Sequence, residues 1–152
     1  MAHYQLALNS ATAKDFFEHL GQATALASKA SDGERLMIRA LEAGGNADPA
    51  ATLKIVQELV AKYPDDERAH FLLGNAWFGQ QEYAKAVEAY RKAVAINAEF
   101  SPAYNSLGYV YRPMERYDEA EAAFKKYIEL IPEDPKPVRL LRRAADEDGP
   151  VR

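Results

Sequence analysis

The sequence contains no cysteine. A disulfide framework, a thiolate nucleophile and a cysteine-ligated zinc site are therefore all excluded, and with them the disulfide-stapled and zinc-ribbon classes. β-Branched residues are scarce as well: 7 Val, 5 Ile and 3 Thr stand against 28 Ala. Alanine loses the least entropy in a helix and branched side chains lose more, so the balance favours helix and argues against an all-β fold. Eight Gly and eight Pro in 152 residues are too few for a linker or a collagen-like chain. With 48% hydrophobic and 28% charged residues, the chain reads as one folded domain or a short repeat array. Excess positive charge is missing too. Nineteen basic and 23 acidic residues give a net charge of −4, a field that repels a phosphate backbone, so no nucleic-acid partner is expected. Apolar runs reach only a few residues, against the roughly 20 that span a bilayer, and Met1 to Leu8 has no basic start followed by a long apolar segment. No membrane span is expected; the compartment is left open, with the cytoplasm weakly favoured.

What the sequence does have is a repeat with a period of 34. Laying 67–100 over 101–134 without a gap pairs Ala69 with Ala103, Leu73 with Leu107, Gly74 with Gly108, Tyr83 with Tyr117, Ala86 with Ala120, Ala89 with Ala123, Lys92 with Lys126 and Glu99 with Glu133. Trp77 with Tyr111, Tyr90 with Phe124, Val94 with Ile128 and Ile96 with Leu130 are conservative pairs in the same frame. Gly costs about 1 kcal/mol relative to Ala inside a helix, so Gly74 and Gly108 predict close approach of a second helix. Ala86 and Ala120 are the expected partners at that approach, with Trp77, Tyr90, Tyr111 and Phe124 filling the space beside it. A hairpin of this kind cannot bury its apolar face alone and must stack.

These residues resemble the tetratricopeptide-repeat family, whose pattern is an aromatic, Leu-Gly, an aromatic, a small residue, an aromatic and a closing Pro. Tyr104, Leu107, Gly108, Tyr111, Ala120, Phe124 and Pro132 fill those slots in the second unit. In the first, Leu73, Gly74, Trp77, Ala86, Tyr90 and Ala93 match, His70 replaces the leading aromatic and Ala98 replaces the closing Pro. Tyr127 stands where the family has a small residue. The resemblance implies an all-α fold: a right-handed solenoid of helix-turn-helix hairpins closed by a C-terminal capping helix, nine helices in one continuous domain. Its expected parts are a degenerate hairpin at 1–32, a weak repeat at 33–66, repeats at 67–100 and 101–134, and a capping helix with a polar tail at 135–152.

Local signals place the boundaries. Ser31 and Glu34 form a capping box, Asp48 precedes Pro49 as an N-cap before Pro at N1, and Gly44 with Gly45 is expected to stop the helix between them. Phe16, Phe17, Leu20, Ala23 and Ala27 make an apolar stripe over roughly 13–29. Pro113 removes a backbone donor and should end or kink a helix around Arg112.

Catalytic constellations are lacking. His3, His19 and His70 have none of the spacing that places two ligands on one helical face, so no metal or cofactor is expected, and His70 in a packing slot is expected to be buried and hydrogen-bonded. Asp65 and Asp66, and Asp146 to Asp148, read as caps and a solvated tail. Lys136, Arg139, Arg142 and Arg143 are a basic cluster explained by their place on an outer helix. The expectation is a non-enzymatic chain whose function lies in a surface.

In the family the first helix of each hairpin lines the concave side. The resemblance places Met37 and Leu41, then Phe71, Asn75 and Phe78, then Asn105, Tyr109 and Arg112 on that side, each set at i, i+4, i+7 spacing. The implied role is binding a protein or peptide segment, with apolar anchoring at Phe71, Phe78 and Tyr109 and amide hydrogen bonds from Asn75 and Asn105. Family members that clamp acidic chaperone tails use further Lys, Asn and Arg residues. Asn75 and Lys136 match, whereas Phe71, Ser106 and Leu140 stand in the other slots, so that clamp is not expected. The alternative is head-to-tail self-association into a ring or filament, motivated by Tyr4, Leu6 and Leu8 at one end and Leu140 and Ala144 at the other.

Overall fold

The structure, a computed structural model, describes residues 1–133. Eight α-helices occur among them, in four hairpins: α1 (Ala2–Leu8) with α2 (Ala13–Ala25), α3 (Asp32–Gly45) with α4 (Pro49–Lys62), α5 (Glu67–Gly79) with α6 (Tyr83–Ile96), and α7 (Ser101–Tyr111) with α8 (Tyr117–Leu130). No strand is present among the described residues. Each helix packs chiefly on its neighbours in sequence, α4 on α5 and α6 on α7 joining successive hairpins, so the architecture is an all-α helical repeat stack. The expected ninth helix, at 135–152, lies outside the described residues.

Capping chemistry sets the ends. The Ser31 hydroxyl accepts the Glu34 amide at 3.3 Å while the Glu34 carboxylate accepts the Ser31 amide at 2.8 Å, completing the predicted box. Asp48 caps α4 through the Ala51 amide at 2.9 Å with Pro49 at the first position. Asp66 caps α5 through the Arg68 amide at 2.9 Å. Helix α7 ends at Tyr111, directly before Arg112 and Pro113, and is 11 residues long against 13 for α5.

The turns inside the last three hairpins are copies of one another. Ala47, Gln81 and Glu115 adopt left-handed φ values of 55°, 62° and 58°. They are spaced by the repeat period, and the backbone pairs Asp48 N to Ala43 O, Glu82 N to Trp77 O and Arg116 N to Tyr111 O all measure 3.0 Å. Gly44 and Gly45 do not serve as the stop: they belong to the last turn of α3, and Ala47 takes the left-handed conformation. Gly45 is needed for another reason, since a Cβ there would come within 2.8 Å of the Phe16 ring of α2.

The close approaches at Gly74 and Gly108 are confirmed, with different partners. The nearest atoms to a Cβ at Gly74 all belong to the Tyr90 ring, and at Gly108 to the Phe124 ring, so each glycine clears an aromatic face rather than an alanine methyl. Aromatic rings carry the burial: Tyr90 is 2% and Phe124 3% exposed, in one cluster with Ala86, Leu107, Val110, Tyr111 and Ala120. Trp77 is only half-buried at its edge. A second cluster joins Tyr4, Ala23, Leu36, Met37, Ile38, Leu59 and Ala69. The predicted stripe over 13–29 is interrupted: α2 stops at Ala25, a 3₁₀ turn covers Ala27–Lys29, and Phe17 is 50% exposed.

Candidate interaction surface

Helix α5 positions Phe71, Asn75 and Phe78 on one face, because residues three and four apart lie over one another. Asn75 is exposed, and its Oδ1 accepts a hydrogen bond from the Tyr90 hydroxyl at 2.8 Å. Burial pushes the Tyr90 hydroxyl up to about 12, against a smaller lowering by hydrogen bonding to Ser106, so it stays a donor at neutral pH. The bond fixes the Asn75 amide with its Nδ2 turned away from Tyr90. Nδ2 has no acceptor among the described residues, which leaves its two N–H groups as donors for an incoming oxygen.

The flanking aromatics differ. Phe71 is half-buried, tilted on Tyr90 at 5.8 Å and edge-on to Phe100 at 5.4 Å, so much of it is packing. Phe78 is 38% exposed, with Tyr83 at 5.8 Å. On α7, Asn105 is half-buried, Tyr109 is 38% exposed with its ring edge-on to Phe124 at 5.4 Å, and Arg112 is exposed without an ion-pair partner among the described residues. In the α3 hairpin, Met37 is 2% exposed and so is not a surface residue: it is buried in the core cluster to which Tyr4, Ala23, Leu59 and Ala69 of other helices contribute. Leu41 is half-buried against the same cluster.

One comparison between repeats explains the arrangement. The slot of Asn75 holds Leu41 one repeat earlier and Tyr109 one repeat later, and the slot of Tyr90 holds Val56 and Phe124. Asn75 faces Tyr90 and Tyr109 faces Phe124, and Leu41 and Val56 occupy the corresponding slots one repeat earlier. Gly74 and Gly108 each meet the ring in that slot, and in the earlier repeat, where the slot of the ring holds Val56, the slot of the glycine holds Ala40. The orienting role of Tyr90 was missed from sequence; its signal was a Tyr in a slot that takes Phe one repeat later.

A cavity of about 210 Å³ opens beside Asn75, lined by the α3–α4 turn at Ala47, Asp48 and Pro49 and by Ala76 and Gly79. Its walls are small residues, and its volume suits a single side chain.

The histidines fall into two groups. His70 is 8% exposed and its Nε2 lies 2.8 Å from the Pro64 carbonyl, the expected structural role. His3 and His19, distant in sequence, bring their rings to 6.0 Å, each with a buried Nδ1 lacking a hydrogen-bond partner. No group of three or more metal-ligating side chains occurs among the described residues. No helix there is long and apolar enough to cross a membrane. Lys136 and Leu140, the remaining slots of an acidic-tail clamp, and the 136–143 basic cluster lie outside the described residues, as do Leu140 and Ala144 of the proposed stacking end.

Tetratricopeptide-repeat models match residues 37–102 and 101–134. The chain belongs to the tetratricopeptide-repeat family. It is 31% identical over 80 residues to anaphase-promoting complex subunit 3 of Schizosaccharomyces pombe, a match covering 53% of this chain and 12% of that protein. The chain thus spans only a small part of that relative's length. Among solved structures it is similar to the first TPR of Spaghetti (RPAP3) bound to HSP90 peptide SRMEEVD, with a TM-score of 0.72 and 17% identity over 76% of this chain and 94% of that one. The Sgt2 TPR domain of Aspergillus fumigatus gives 0.71 and 17% over 78% and 82%. At these identities the structural likeness establishes the fold.

Proposed function

We propose that this chain is a non-enzymatic interaction scaffold that takes an extended protein or peptide segment on the concave face formed by the first helices of its hairpins. The observation that carries the reading is the fixed Asn75 amide. Its carbonyl is occupied by Tyr90, and its N–H groups have no acceptor among the described residues, on the helical face that also carries Phe71 and Phe78. A backbone carbonyl is the natural acceptor, with one side chain of the segment seated in the adjoining 210 Å³ cavity and others against Phe78 and Tyr109. Asn105 and Arg112 extend the polar contacts along α7, and Leu41 closes the apolar side. A peptide-bound relative of the same fold supports this class of partner.

The test is selection of random peptides displayed on phage against the wild-type chain, followed by affinity measurement. Selected peptides should bind Asn75→Ala about tenfold more weakly, the effect of losing one well-placed hydrogen bond with its geometry. Equal affinity for both proteins removes Asn75 from the site.

Self-association is a second reading, favoured by Leu6, Leu8, Phe17 and Leu26, which are 47–50% exposed on the first hairpin, whereas Tyr4, expected at that end, is 3% exposed and belongs to the core. Sedimentation across a concentration range decides it, since a monomer at the highest concentration contradicts stacking.

A further inference from the structure

We propose that the groove between α5 and α6 is a second binding site, distinct from the Asn75 face, which takes an acidic protein segment carrying an apolar side chain. The groove is open and holds about 740 Å³. Its floor is Leu73 and Trp77 of α5, and its rim is Lys85, Glu88, Arg91 and Lys92 of α6. At about 100° per residue, Leu73 and Trp77 lie roughly 150° around α5 from Phe71, Asn75 and Phe78, so the two surfaces do not share a face.

The rim carries three cations and one anion on a chain whose net charge is −4. Two of the cations are held in place. Lys85 Nζ sits 4.5 Å from the Trp77 ring centre and 3.3 Å from Glu82, and Arg91 Nε donates to the Tyr111 hydroxyl at 3.0 Å. Lys92 is exposed and has no ion-pair partner among the described residues, so its ammonium is available to a carboxylate. The half-buried Trp77 and Leu73 offer apolar area beside those charges.

Trp77 also packs on the edge of the core cluster, but the repeat frame does not fix the identities of Trp77, Lys85 and Lys92. The slots of Trp77, Lys85 and Lys92 hold Ala43, Ala51 and Glu58 one repeat earlier, and Tyr111, Glu119 and Lys126 one repeat later. Tyr111 is 3% exposed where Trp77 is half-buried, so the following hairpin closes what this one leaves open. The frame one repeat later also places Lys125 and Lys126 beside Tyr111, but there the aromatic is buried and the lysines pair with Glu121 and Glu129, so an open aromatic floor beside an unpaired lysine distinguishes the α5–α6 hairpin from the hairpins on either side. A single carboxylate, Glu88, in that rim and the net negative charge of the whole chain favour a short acidic protein segment over the dense phosphate array of a nucleic acid.

Trp77 is the only tryptophan, so its emission reports directly on this groove. The probes are an acetylated, amidated peptide with a central Leu flanked by two Glu on each side, its counterpart with Lys for Glu, and oligothymidylate. The acidic peptide should change Trp77 emission saturably, and the binding should weaken with added salt. Lys92→Glu should weaken it about tenfold and Glu88→Lys tighten it about fivefold, with thermal stability unchanged because both side chains are exposed. Asn75→Ala should leave the affinity as it is. Unchanged emission with the acidic peptide, equal binding of the lysine peptide, tighter binding of oligothymidylate, or indifference to both charge reversals would each overturn the proposal.

Discussion

In the α5–α6 hairpin Gly74 lies under the Tyr90 ring and Gln81 carries the turn at φ 62°; in the α1–α2 hairpin neither device is present. Gly21 of α2 faces open space, α1 has 7 residues and no side-chain cap, and no residue between α1 and α2 is left-handed. The first hairpin is held instead by burial of Tyr4, Ala7, Leu20 and Ala23, while Leu6, Leu8 and Phe17 remain about half exposed. Interlocked backbone geometry fixes the inner hairpins, whereas the outer one relies on a few apolar contacts and a helix too short to persist alone. Amides of α1 should therefore exchange with solvent well before those of α6.

The contrast is broken most forcefully at the glycines. Gly74→Ala and Gly108→Ala should each destabilise by about 2–3 kcal/mol, because the added methyl meets a ring that cannot withdraw. Gly21→Ala, with nothing within 4 Å, should stabilise by up to about 1 kcal/mol. Urea unfolding of the three variants reads both signs. Combining Gly74→Ala with Tyr90→Val restores the pairing of Ala40 with Val56, and a double-mutant cycle should show a cost below the sum of the singles.

A smaller effect is expected at the hydroxyl. Tyr90→Phe should cost about 1 kcal/mol at neutral pH by losing the bond to Asn75. Burial raises Tyr4 and Tyr90 from 10.0 to about 12, so their contribution is complete below pH 10 and is lost as pH rises toward 12. Tyr90→Phe should flatten that alkaline decline in thermal melts without removing the share of Tyr4.

The turns come next. Replacing Ala47, Gln81 or Glu115 by Gly should each stabilise by roughly 0.5–1 kcal/mol, since glycine adopts the left-handed conformation without a Cβ penalty. A loss of melting temperature in any of them would contradict the shared turn geometry. Smallest of all, Leu8→Lys on the outer hairpin should change unfolding free energy by less than about 0.5 kcal/mol.

Much of this fold was legible in the chain because its signals are local or periodic. The 34-residue frame is periodic, and the Ser31–Glu34 box, the Asp48–Pro49 start and the end of α7 at Tyr111, just before Pro113, each depend on residues close in sequence. What could not be read depends on which side of a helix meets which neighbour. Met37 occupies the slot of the exposed face yet is buried, because α3 is covered by the helices around it. Gly45 looked like a stop, and its purpose is the Phe16 ring from a hairpin whose frame the sequence hides. The meeting of His3 with His19 was invisible for the same reason. At the candidate surface, Asn75, Phe78, Tyr109 and Arg112 could be named from their slots, but the amide orientation needed a bond between side chains 15 residues apart.

Tyr90 touches Gly74, Phe71 and Asn75 at once, and it is among the most deeply buried large side chains. The packing of this hairpin and the proposed recognition surface therefore rest on a single phenol. Any attempt to retarget this protein by diversifying its α5 face would do best to hold position 90 constant, because a library that varies it will be sorted first by which members survive expression.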